Sequence, residues 1–267
     1  MKKYYFSLLF VLFATILQAA IFETQKREVG DFTSIRSSSS IDIILEQTGK
    51  IAVEVKAPER YLDRIKTEVK AGELNIYIDG SIRYSGEIVV YVQVKDIDKI
   101  SLHGSGDFMT NGELKTSELT FKVAGSGDFS AQLNAKVVKG NMNGSGDVKI
   151  SGITESLSIR QSGSGDLIAN SLHLLTCKLS MNGSGDSKLS GSTDNFELTQ
   201  SGSGDFSGRN FEAENVKIRK SSSGDARIIA IKKLEISSHG SGDLYYSGRP
   251  QIDIISASGS GDITKIK

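Results

Sequence analysis

The tetrapeptide Gly-Ser-Gly-Asp begins at Gly104, Gly125, Gly144, Gly163, Gly183, Gly202, Gly240 and Gly259, and Ser222 opens a ninth variant, Ser-Ser-Gly-Asp. The motif aspartates are Asp107, Asp128, Asp147, Asp166, Asp186, Asp205, Asp225, Asp243 and Asp262, at successive spacings of 21, 19, 19, 20, 19, 20, 18 and 19 residues. So regular a period restricts the chain to repeat architectures. In these each unit is one supersecondary element that cannot bury its apolar face alone and must stack on its neighbours.

Aligning the units on the motif exposes apolar columns. The residue after Asp is Phe108, Phe129, Val148, Leu167, Ser187, Phe206, Ala226, Leu244 and Ile263, apolar in all but one unit. Four positions before the motif stand Ile100, Phe121, Gly140, Ile159, Leu179, Leu198, Ile218, Ile236 and Ile255. Six before it stand Leu119, Val138, Leu157, Cys177, Phe196, Val216 and Leu234, with Asp98 and Asp253 in the first and last units. Between these two columns lie polar residues such as Ser158, Lys178, Glu197, Lys217 and Glu235, the alternation of a strand with one buried face. Each unit therefore supplies a strand, a turn and a second short strand. The fold class expected is all-β: a single-stranded parallel β-helix, or β-solenoid, with coils of about 19 residues stacked about 4.8 Å apart. Nine turns would extend about 38 Å along the axis. The crossover rule gives a right-handed wind.

Residues 1–20 read as a signal peptide: Lys2 and Lys3, an apolar run from Tyr4 to Leu17, then Ala19 and Ala20. Residues 21–100 read as irregular first coils that cap the solenoid, with a separate small β domain as the alternative. They lack the full motif but keep strand alternation at Leu74, Ile76 and Ile78 and at Ile88, Val90, Val92 and Val94. A short helix is expected around Glu59–Lys66, and Tyr84-Ser-Gly-Glu87 reads as a degenerate turn 20 residues before Gly104. Residues 101–267 form the regular solenoid.

Composition narrows the function classes. Without Lys2 and Lys3 the mature chain carries 30 basic against 32 acidic residues, too balanced for an electrostatic nucleic-acid partner. Cys177 is the single cysteine, so no intrachain disulfide is open to an exported chain, and packing and backbone pairing must hold the fold. The 28 glycines, against only Pro58 and Pro250, suit tight turns between strands.

The motif has a structural reading. Its glycines permit positive φ and close backbone approach, its Ser can hydrogen-bond along a stack, and its Asp accepts amide protons in a turn. The nine motif aspartates are therefore assigned as structural turn residues, with no catalytic, cofactor or metal residues. Calcium is not expected to be needed, because β-roll sites repeat every nine residues and draw ligands from successive turns. An enzyme is the first rival, since stacked carboxylates resemble a glycosidase pair in distance. Every coil repeats the same Asp, however, and no coil is expected to carry an insertion that walls a cleft. His103 and His239 precede motifs, His173 sits mid-coil, and Cys177 lies in a core column. A polysaccharide-binding protein is the second rival, with Tyr245-Tyr246 as a weak aromatic platform.

With its export signal, Phe32-Thr-Ser-Ile35, Ile51-Ala-Val-Glu-Val-Lys-Ala-Pro58, Leu74-Asn-Ile76 and tandem Gly-Ser-Gly-Asp coils, the chain resembles the putative auto-transporter adhesin head domain family, also called the head GIN domain. The resemblance spans nearly all of the mature chain. It implies a β-helical, envelope-associated protein without catalytic residues. The expected location is the periplasm, the outer-membrane surface or the medium, and the expected partner is an envelope, host or carbohydrate surface ligand. After Asp262 only Ile-Thr-Lys-Ile-Lys follows, so no membrane barrel is expected in the mature chain.

Overall fold

The computed structural model describes residues 22–84 and 86–267, so the expected signal peptide and Ser85 of the Tyr84–Glu87 segment lie outside the described residues. Eight strands come first: β1 (Phe22–Arg27), β2 (Ser34–Ser37), β3 (Asp42–Gln47), β4 (Ala52–Pro58), β5 (Ile65–Lys70), β6 (Glu73–Ile78), β7 (Val89–Val94) and β8 (Lys99–Leu102). A 3-10 helix, Glu59–Arg64, stands where the short helix was expected. Seven long strands follow, β9 (Phe108–Val123), β10 (Phe129–Met142), β11 (Val148–Gln161), β12 (Leu167–Met181), β13 (Ser187–Gln200), β14 (Phe206–Lys220) and β15 (Ala226–Gly240). The last coil is divided into β16 (Leu244–Gly248) and β17 (Gln251–Gly259), and β18 (Ile263–Lys265) ends the stack.

From β8 and β9 onward each coil pairs in parallel with the next, which makes the chain an all-β solenoid. The expected pair of strands per coil is one continuous strand that breaks only at the Gly-Ser-Gly-Asp turn. Its second corner is a bend within the strand, marked by register shifts such as that between Ile153 and Ser156. Left-handed residues sit at this corner: Gly112, Gly152, Ser171, Gly191 and Gly248.

The core columns fall in register. Ile100, Phe121, Gly140, Ile159, Leu179, Leu198, Ile218 and Ile236 succeed one another up the stack. Gly140 fits its column because neighbouring side chains fill its place, the Phe121 ring from one side and Ile159 Cδ1 from the other. That ring stacks on Phe129 with centroids 4.8 Å apart, and Phe108 stacks on Phe129 at the same distance. In the last coil the columns hold Ile252 and Ile254, with Ile255 displaced by a register shift, in place of the expected Asp253 and Ile255.

Chain order and stacking order differ at the N-terminal end. β2 pairs in parallel with both β6 and β8, and β3 pairs in parallel with both β7 and β9. The β2–β3 coil therefore lies between the β6–β7 coil and the first motif coil, although β6 and β7 are nearer to that coil in sequence. The reversal starts at Gly49 (φ 75°), after which β4 runs back antiparallel to β7, and β1 antiparallel to β4. On the other flank β5 is antiparallel to β6. The neighbour of the Gly104 turn is consequently Ser39–Asp42, and the expectation that Tyr84–Glu87 lies there is corrected: a Cβ on Gly104 would meet Ser39 O, and one on Gly106 would meet Ile41 O.

Candidate functional site

The motif corner is a ladder that runs the length of the stack. Each Asp gives Oδ1 to the backbone N–H of the Asp in the next coil: Asp128 N–H to Asp107 at 2.9 Å, Asp166 to Asp147 at 2.8 Å, Asp205 to Asp186 at 2.8 Å, Asp262 to Asp243 at 2.9 Å. The ladder contains a tenth carboxylate that the repeat did not reveal, since Asp107 N–H donates to Asp42 Oδ1 at 2.8 Å. Burial holds the Asp42 carboxyl above its ordinary range, against the lowering effect of the Asp107 amide, and the Asp107 and Glu87 carboxylates add to the rise. Asp243 is held below its ordinary range by the Asp262 amide and by the Tyr245 hydroxyl at 2.8 Å.

The other motif residues work differently from the sequence expectation. Most motif glycines lack positive φ; Gly240 and Gly259 are the exceptions. What these positions require is closeness, because a Cβ on Gly165 would lie 2.0 Å from Gly146 O and one on Gly144 1.8 Å from Gly125 O. The motif Ser contributes its backbone, as when Ser126 N–H donates to Gly104 O at 3.1 Å, and among the described residues its hydroxyl makes no bond along the stack.

With each Asp amide taken by a carboxylate, the second glycine carbonyl is left to find another donor. Gln161 Nε2 donates to Gly165 O (2.8 Å) and Asp186 O (3.1 Å), and Gln200 Nε2 to Gly204 O (2.7 Å) and Asp225 O (3.1 Å). Two coils hold these amides, and a third holds Lys220, whose Nζ donates to Ser222 O (3.3 Å) and Gly242 O (2.5 Å). All three side chains are buried. Burial lowers the Lys220 ammonium, while Asp225, Asp243 and Asp205 oppose the shift.

On the outer side of the ladder a groove of about 510 Å³ runs across β12 to β15. Asp166, Asp186 and Asp205 form one rim, Lys188, Arg209, Asn210 and Arg227 the other, with Leu167 and Phe206 beneath. The basic rim depends on an irregularity in β14. Ser207 faces Lys188 and Arg227, but the next pairs are Asn210 with Ser190 and Glu212 with Ile229. The strand bulges over Gly208–Phe211 and leaves Arg209 and Asn210 adjacent and exposed. The expectation that no coil carries an insertion able to wall a cleft is thus corrected.

The remaining candidates lie apart. His239 bonds Ser258 Oγ (2.6 Å) and Ser256 Oγ (3.1 Å) near the last turn, and His173 is exposed on β12. Burial lowers His103, aided by Arg36 and Lys122, and raises the Cys177 thiol in the core. Tyr245 and Tyr246 point to opposite faces, Tyr246 into the core and Tyr245 beneath the Arg227 guanidinium, 4.7 Å from its ring centroid. They form no paired platform.

The model of the family described as "Putative auto-transporter adhesin, head GIN domain" matches residues 31–187 and 163–250. A crystal structure of a putative lipid binding protein from Parabacteroides distasonis is 26% identical, with TM-score 0.68, covering 92% of this chain and 97% of that one. A putative adhesin from the same organism (21% identical, TM-score 0.68, 91% and 98% covered) shares the fold. So does one from Parabacteroides merdae (18% identical, TM-score 0.65, 92% and 96% covered). No curated protein matches the chain.

Proposed function

Because the chain belongs to the family "Putative auto-transporter adhesin, head GIN domain", we propose that it works by attachment and not by turnover, as an exported cell-envelope β-solenoid whose long flanks engage a surface ligand. The observation that carries this reading is the family match, which spans the stack from residue 31 to residue 250. Physical chemistry supports it. A solenoid repeats the same surface chemistry coil after coil, so weak contacts add up along an extended ligand.

In this reading residues 101–267 present the surface and residues 21–100 cap it. Antiparallel β1, β4 and β5 support the cap, since they occupy the edge on which another parallel coil would add. Export is supported by the apolar segment after Lys2 and Lys3. No helix among the described residues is long and apolar enough to cross a membrane. The ladder aspartates are read as turn residues, each with Oδ1 committed to a neighbouring amide.

The test is attachment under flow. Beads carrying the purified protein should be retained on mucin-coated, cell-coated or polysaccharide-coated surfaces more strongly than albumin-coated beads. Retention on none of them, or release of reducing ends from polysaccharide, would overturn the proposal.

A further inference from the structure

The six charged side chains of the β12–β15 groove have no ionic partners. Among the described residues, none of Asp166, Asp186, Asp205, Lys188, Arg209 and Arg227 forms an ion pair within 4.0 Å, whereas the charges of the opposite flank are matched. There Lys178 meets Glu197 at 3.8 Å, Lys217 meets Glu235 at 3.5 Å, and Arg219 also holds Glu197. A regular solenoid pairs unlike charges between coils wherever rows allow it. The groove instead keeps three acids and three bases facing one space.

We infer that this groove binds a neutral, hydroxyl-rich glycan, an inference that rests on the attachment reading and names its ligand class. Three acids against three bases leave no net charge to select an anionic or a cationic polymer. A sugar hydroxyl both donates and accepts, so one diol can satisfy a carboxylate and a guanidinium together. A site of this kind discriminates strongly, because its polar groups are left unpaired by any ligand lacking the hydroxyls.

The geometry fits that division of labour. Each rim carboxylate has given Oδ1 to the stack, through the amides of Asp186, Asp205 and Asp225, and keeps Oδ2 as an acceptor. The donors come from Arg209 and Asn210, which only the β14 bulge brings side by side, and neither side chain hydrogen-bonds within the described residues. A peptide is disfavoured. Peptide recognition draws on a free strand edge, an apolar groove or a cluster of Arg without acids. The strands here are paired on both sides, and Ile168 is the exposed large apolar residue of the rim.

The experiment uses the intact protein on an array of neutral glucans, mannans and galactans beside sialylated and sulfated glycans and peptides. The neutral glycan retained is then titrated by affinity electrophoresis. The double variant Arg209→Ala, Asn210→Ala should bind it about tenfold more weakly or worse, the loss of one charge-assisted hydrogen bond. Arg219→Ala on the opposite flank should bind as the parent does. Lys188→Ala, which leaves the bulge untouched, serves as a second groove variant should the first not fold. Retention of sulfated glycans or peptides in preference, no neutral glycan retained, or equal binding by the groove variants would overturn the inference. Bead attachment is measured in parallel: beads that still attach without groove dependence leave the attachment reading standing and remove only the glycan site. Glycan binding without bead attachment does the reverse.

Discussion

Ser187 Oγ donates to Gln161 Oε1 at 2.5 Å, while the corresponding oxygen two coils on, Gln200 Oε1, is buried without a partner because Ala226 stands where Ser187 stood. The separation is the same in both cases, 26 residues from the glutamine to the residue after the next coil's Asp. One repeat thus contains the satisfied version of the other's defect. An unpaired buried acceptor costs about 1–3 kcal/mol. Ala226→Ser should therefore stabilise the protein by about 1 kcal/mol in urea unfolding. In a Gln200→Met background, which copies Met181, the same change should give no gain.

These two glutamines also show where sequence reasoning stopped. Phe121, Leu179 and Leu198 were legible as core because strand alternation fixes their face whatever the neighbours do. Gln161, Gln200 and Lys220 sit beside a turn and read as solvent-facing; the carbonyls they serve converge only when two coils stack. Asp42 was hidden by chain order: its turn, Ser39-Ser-Ile41, lacks glycine and lies 65 residues before the coil it supports. The Arg209–Asn210 bulge left no trace in the spacing, because the coil from Asp205 to Asp225 has the same 20 residues as that from Asp166 to Asp186.

Leu198 is fully buried in its column, and Glu197 beside it faces outward toward Arg219 and Lys178. Leu198→Ala should destabilise by about 2–5 kcal/mol, the cost of lost burial plus a cavity between coils. Glu197→Ala breaks only exposed ion pairs and should cost about 1 kcal/mol or less. Equal shifts in denaturation midpoint would contradict this strand register.

Gly165→Ala tests the closeness of the turns. Its new methyl carbon would lie 2.0 Å from Gly146 O, a backbone atom tied into the turn below, so the coils must separate. A loss of about 1–3 kcal/mol or more is expected, the range for overpacked sites. The adjacent exposed Ser164→Ala should leave the urea midpoint unchanged.

Calcium should not move the thermal midpoint. Stacked carboxylates about 4.8 Å apart repel by only about 0.9 kcal/mol per pair in a water-like dielectric, and the amide each one accepts offsets that cost. Melting curves in chelator and in excess calcium should superimpose. A midpoint raised by calcium, and no longer raised in an Asp166→Asn, Asp186→Asn double variant, would show that the ladder uses the ion.

The two ends of the ladder should respond to pH with opposite signs. Asp42 is raised, chiefly by burial, so its contribution to stability is fully present below the unfolded carboxyl pKa of about 3.9 and is lost as pH rises through the higher folded value. Asp243 is lowered, chiefly by the Asp262 amide. Its contribution is present above the unfolded value and is lost as pH falls through the lower folded one. Asn keeps an oxygen that can accept the neighbouring amide proton but removes the charge. Asp42→Asn should therefore raise the melting temperature at neutral pH, and Asp243→Asn should lower it. Both differences should shrink as the pH falls through the carboxyl range, where the parent side chains become neutral as well. Melting curves from pH 3 to pH 8 measure this, and shifts of the same sign for the two variants at neutral pH would contradict the opposite environments of the ladder's ends.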